Sequence, residues 1–153
     1  MKSLFISSLI VSLLAAVAPK LHAATNESSV FGEFGSAIGA LTLYLRFSEK
    51  INYQCDMNLS TGKDDIDNLL QEKIGVSLIH VKNVFGASGQ AHTEFHANHL
   101  IEGIENYIGC DEEELSALQR HLMLTIYQPN FEKIMRIEDA ERLKTFINDY
   151  LKH

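Results

Sequence analysis

Phe31-Gly32-Glu33-Phe34-Gly35-Ser36-Ala37-Ile38-Gly39-Ala40-Leu41-Thr42-Leu43-Tyr44-Leu45 decides the fold. Phe31, Phe34, Ile38, Leu41 and Leu45 recur at three- and four-residue steps, which is one apolar stripe on an α-helix and not the alternation of a strand. The spacing predicts a helix over about 29–50. The same period returns in Ile66, Leu69, Leu70, Ile74, Leu78, Val81 and Phe85, which predicts a second helix over about 64–85. The run Gly86-Ala87-Ser88-Gly89 breaks it. Ala97, Leu100, Ile101, Ile104 and Ile108 give a third helix over 90–108, stopped by Gly109, because glycine takes the left-handed conformation that ends a helix. Asp111 with Glu114 three residues on is a capping-box start for a fourth, with Leu115, Leu118, Leu122 and Ile126 as its stripe and Pro129 as its end. A short helix over 130–136 and a last one carrying Ala140, Leu143, Ile147, Tyr150 and Leu151 complete the chain. No stretch alternates like a strand. The expected fold is therefore all-α, an antiparallel up-down bundle of four main helices with a C-terminal helical extension.

The first residues set the compartment. Lys2 is followed by an apolar run over 4–18 and a small-residue exit, Leu21-His22-Ala23-Ala24. These are the three parts of a secretory signal peptide, and cleavage is expected after Ala23. The run is shorter than the roughly 20 residues that span a bilayer, so no stable membrane anchor is expected. Residues 24–153 then form a single helical domain. Cleavage removes Lys2 and Lys20 and no acid, taking the formal charge from −7 to −9. So acidic a chain is not built for nucleic acid, whose phosphates need a basic surface.

Cys55 and Cys110 are the two cysteines of the chain. Export places them in an oxidising compartment, where such a pair becomes a disulfide. In an up-down bundle the loops after the first and third helices lie at one end. Those loops hold the two cysteines, so helix pattern and cysteine placement agree.

Three features could carry chemistry. His92, His96 and His99 lie at i, i+4 and i+7, within about 60° on one helix face, a spacing that can share Zn, Cu or Ni. The competing reading is a solvated polar face. Glu94 stands in neither position that zinc peptidase motifs require, so hydrolytic zinc chemistry finds no support. Asp56-Met57-Asn58-Leu59-Ser60-Thr61-Gly62-Lys63-Asp64-Asp65-Ile66-Asp67 resembles a calcium-binding EF-hand loop, with oxygen ligands at Asp56, Asn58, Ser60, Asp64 and Asp67. Thr61 stands where that loop needs its glycine and Asp67 where it needs glutamate, and both departures argue against calcium. The simpler reading makes Ser60 or Thr61 the cap of the second helix, with the aspartates complementing its dipole. Glu112, Glu113 and Glu114 likewise suit a helix start, and alternatively offer a docking patch to a basic protein.

Gly35 and Gly39 form a small-xxx-small pair. Each interior glycine costs about 1 kcal/mol against alanine, which close packing within the chain, a partner or a homodimer would offset. No nucleophile motif, glycine-rich phosphate loop or haem-attachment sequence is present, so an enzyme is the less favoured class. The expectation is an exported, non-enzymatic interaction protein of a Gram-negative bacterium, periplasmic or secreted: an inhibitor, immunity factor, chaperone or host-directed factor. A metal-binding or metal-sensing bundle built on the histidine face is the alternative.

Overall fold

The computed structural model describes residues 28–86, 99, 102, 103 and 109–152. Among them every regular element is helical: α1 (Ser28–Cys55), α2 (Lys63–Ile74), α3 (Leu78–Gly86), α4 (Glu112–Leu122), a π-helical turn (Met123–Tyr127), α5 (Gln128–Met135) and α6 (Ala140–Tyr150). The all-α class and the Cys55–Cys110 disulfide are as expected, with α-carbons 5.4 Å apart.

The long helix α1 is the hub. Over 41–48 it is buried on nearly every side, including Leu41, Leu43, Tyr44, Leu45 and Phe47. A helix apolar all round belongs inside a protein rather than on its surface. Against it lie α3, the π turn and α5, while α2 packs on α5 and α6. The start of α1 meets the ends of α3 and α6: Phe34 stands edge-on to Phe85 at 5.2 Å and Phe31 lies 4.8 Å from Phe146. At its other end Cys55 is tied to Cys110, and Gln119, two turns into α4, reaches Tyr44. So α4 runs back along α1, antiparallel to it.

Four boundaries differ from the sequence reading, the first being that α1 runs past the expected end near 50 to Cys55. The expected second helix is two. Gly75 takes φ +68°, and its N–H closes on the Gln71 carbonyl at 3.0 Å, ending α2. Asp67 Oδ1 then accepts the Leu78 N–H at 2.7 Å, which starts α3. The apolar period survives this break because both short helices face the same core. The N-cap position of α2 falls to Gly62, at φ +67° with no side-chain cap bond, rather than to Ser60 or Thr61, while Thr61 Oγ1 accepts the N–H of Lys63, the first residue of α2, at 3.4 Å.

Pro129 does not end the fourth helix. The chain passes through the π turn and puts Pro129 in the first turn of α5. A proline inside a helix removes a backbone donor. The wider turn absorbs that loss, with the Gln128 N–H on the Met123 carbonyl. Asn130 Nδ2 bonds the Ile126 carbonyl at 2.7 Å, and Thr125 Oγ1 bonds that of His121 at 2.8 Å. The expected third helix falls outside the described residues, apart from His99, Glu102 and Gly103, which are helical.

Two glycines of α1 give opposite expectations. A Cβ on Gly35 would come to 3.1 Å of Phe85 Cδ1, so this close approach is met by a ring rather than by another glycine. A Cβ on Gly39 would meet no described atom within 4 Å. Gly39→Ala should therefore raise stability by about 0.5–1 kcal/mol, the helix-propensity gain. Gly35→Ala should gain nothing, because the Phe85 ring must shift. Denaturant unfolding of the two variants measures the contrast. Loss of a dimer in Gly39→Ala would instead assign that face to self-association.

Candidate functional site

The disulfide end gathers more polar side chains from distant parts of the chain than any other described region. Its centre is the connection 56–62 between α1 and α2. Asp56 follows Cys55 in the left-handed conformation, φ 50°, and the Met57 N–H returns to the Asn52 carbonyl at 3.1 Å. That six-to-one bond closes α1 as a Schellman turn. Aspartate tolerates this conformation better than most residues.

The rest of the loop is held by side chains. Asn52 Nδ2 donates to the Leu59 carbonyl at 2.8 Å, and the Leu59 N–H donates to Asn52 Oδ1 at 2.7 Å. Gln119 Nε2 donates to the Ser60 carbonyl at 2.8 Å, with the Tyr44 hydroxyl on the same oxygen at 3.4 Å. The Tyr127 hydroxyl donates to the Gly62 carbonyl at 3.2 Å. Met57 and Leu59 pack on the core, whereas Asp56, Asn58 and Ser60 are exposed. A seven-residue loop is thus fixed from beneath and displays alternate side chains to solvent. Prior fixing of a segment lowers the ordering cost of any contact it makes.

The aromatic base of the loop is tight. Tyr127 lies 5.1 Å from Tyr44 and stacks on Phe131 at 5.5 Å. Burial, then the charge of Asp65, then Tyr44, push the Tyr127 hydroxyl up from 10.0 to about 12. Its neutral form is favoured by folding. Below pH 10 both states keep the proton. Between pH 10 and 12 the unfolded chain loses it first, so stability falls as pH rises through that window. Tyr127→Phe should flatten this part of the dependence in denaturant titrations from pH 9 to 11.5. An unchanged slope would assign the alkaline loss to other groups.

The acidic start of α4 stands at the same end. Asp111 Oδ1 accepts the Glu114 N–H at 2.9 Å, as the capping pattern required. Glu112, Glu113 and Glu114 are exposed. Tyr53, in the last turn of α1 and two residues from Cys55, is 90% exposed.

The other anticipated sites fare as follows. His92 and His96 lie outside the described residues. His99 is exposed, its Nδ1 3.4 Å from Glu102 Oε2. Among the described residues no three His, Cys, Asp or Glu side chains gather as metal ligands. The EF-hand resemblance is not carried into geometry. Asp67 turns away to start α3, and the Leu59, Ser60 and Gly62 carbonyls are taken up by Asn52, Gln119, Tyr44 and Tyr127. Asn52, Tyr44, Gln119 and Tyr127 were not legible in the sequence: the bonds of Gln119 and Tyr127 to the loop span 59 and 65 residues. No family model, no curated protein and no solved structure matches this chain.

Proposed function

We propose that this chain is an exported, non-enzymatic binding protein that docks a basic protein partner on its disulfide end. One observation carries the reading. Tyr53, 90% exposed, stands two residues from Cys55, and the acidic run Glu112–Glu114 begins two residues from Cys110. The disulfide therefore joins an exposed aromatic to an acidic patch. Tyrosine, with tryptophan and arginine, is enriched among the residues that anchor protein interfaces, and an acidic surround steers a cationic partner. The loop 56–62 starts at the same end, directly after Cys55, and is already fixed. The disulfide fits an oxidising compartment. No described helix is long and apolar enough to cross a membrane.

The test is photo-cross-linking in the source cells. A photoreactive residue replacing Tyr53 should form a discrete adduct with one second protein, and the same group at exposed Glu138 should not. Equal adducts from both positions, or none from position 53, would defeat the reading. Glu112→Lys combined with Glu113→Lys should weaken the adduct at position 53 while leaving the fold intact.

A further inference from the structure

We infer that Asn58 is an acceptor site for N-linked glycosylation, modified before the exported chain finishes folding. The inference stands apart from the binding reading. Asn58-Leu59-Ser60 is an Asn-x-Ser acceptor triplet: the asparagine amide takes the sugar, and the hydroxyl two residues on holds the peptide in the transferase. Asn26-Glu27-Ser28 is a second such triplet, so the pattern alone does not choose between them. Two features single out Asn58. The first is Asp56, two residues before it. The full stretch is Asp-x-Asn-x-Ser, the longer acceptor that bacterial oligosaccharyltransferases take, whereas the matching position before Asn26 is Ala24. The Asp56 carboxylate offers a cationic acceptor site a charge-assisted contact.

The second feature is the fold around the triplet. Asp56, Asn58 and Ser60 are exposed, while the spacers Met57 and Leu59 pack on the core. Among the described residues the Asn58 side chain makes no hydrogen bond, and the backbone that follows it is held by Asn52 and Gln119 instead. N-linked sugar is bulky and needs a surface position. On Asn58 Nδ2 it displaces no packed atom and breaks no bond of the loop. Nearby Asn52 is the opposite case, with both side-chain polar atoms committed to Leu59.

The folded loop is closed over Met57 and Leu59, so transfer comes before closure. The expected leader carries Lys2 and no arginine pair of the kind that exports folded proteins, so the chain crosses unfolded with this stretch open. The co-substrate is an oligosaccharide carried on a polyprenyl diphosphate. Asn58 Nδ2 attacks the anomeric carbon. The C–N bond forms, and the C–O bond to the diphosphate breaks. Its electron pair leaves with the polyprenyl diphosphate, and one Nδ2 proton passes to a carboxylate of the transferase. Folding then brings Asn52 onto Leu59 and Gln119 onto the Ser60 carbonyl, and the sugar stays outside.

The experiment expresses the full-length chain in a bacterial periplasm together with a bacterial oligosaccharyltransferase and a lipid-linked oligosaccharide of known mass. The exported chain should gain that mass once, on top of its disulfide-oxidised mass, on the peptide that holds Asn58, with Asn26 bare. Asn58→Gln and Ser60→Ala should abolish the gain, and Ser60→Thr should keep it. Asp56→Asn should abolish it as well. Asparagine tolerates the left-handed backbone at φ 50° as aspartate does, so this variant keeps the fold, which circular dichroism checks. The same peptide from the exported fraction of the source cells should carry a sugar on Asn58. A bare Asn58 in either setting, a sugar on Asn26 in its place, or a gain that survives Asp56→Asn overturns the inference. None of these results depends on the cross-link at Tyr53, so the two readings fail separately.

Discussion

Cys55→Ser or Cys110→Ser should cost about 4 kcal/mol of unfolding free energy. The bond closes a loop of 55 residues, and the chain-entropy account gives roughly that figure for a loop of this length. The loss is large against the 5–15 kcal/mol that holds a typical domain together. Nothing else that is covalent binds the start of α4 to the end of α1. Cys110 immediately precedes the N-cap Asp111, so its release frees the helix whose Gln119 holds the loop. Either serine variant should match the parent chain under reducing conditions, and all three should lie below the oxidised parent. Denaturant unfolding with and without dithiothreitol measures this. A difference under about 1 kcal/mol would mean that the reduced chain keeps the two ends together by other contacts.

Gly62→Ala is the second large effect. Gly62 sits at φ +67°, where a Cβ costs about 1–2 kcal/mol. That Cβ would also stand 2.5 Å from Tyr127 Cε2 and 2.7 Å from its hydroxyl oxygen. The ring cannot swing aside freely, because Tyr44 and Phe131 flank it. Overpacking of this kind adds about 1–3 kcal/mol. The combined loss of about 2–5 kcal/mol should be seen in denaturant unfolding, and Tyr127→Ala in the same chain should relieve the steric part but not the backbone part. Equal stability of Gly62→Ala and the parent would show that the Tyr127 ring has room to retreat.

Both effects centre on a loop that sequence reading understood only in part. The helices α1 and α4 were legible from their apolar stripes, Phe31 to Leu45 and Leu115 to Leu122, and α4 also from its Asp111–Glu114 cap. The break at Gly75 was written in the sequence as glycine followed by Ser77 and Leu78. The unbroken apolar period hid it, since α2 and α3 keep one core-facing side. Pro129 misled for the opposite reason. A proline usually ends a helix, and the π turn before it is set by three-dimensional packing around Tyr127.

The candidate site was legible at its rim and not at its base. Cys55, Cys110 and Glu112–Glu114 announce themselves by type and spacing. Asn52, Tyr44, Gln119 and Tyr127 do not, because each is an ordinary helix residue until the chain folds back over dozens of positions. Tyr53 lies beyond the helix that the apolar stripe predicts, over 29–50, and its exposure emerges only because α1 runs on to Cys55. The dodecad 56–67 drew attention as a cation loop. Its carbonyls instead receive hydrogen bonds from the protein itself, which is the arrangement of a displayed, preformed segment.

The most direct measurement is a native mass spectrum of the untagged chain, isolated from the exported fraction of its own cells without chelator. The expected species is the chain beginning at Ala24, at its disulfide-oxidised mass, in complex with a second protein, and the complex is lost when Tyr53 is replaced by alanine. A chain that keeps its first 23 residues and two thiols, or one that flies alone with a bound metal ion removed by His96→Ala, would contradict it.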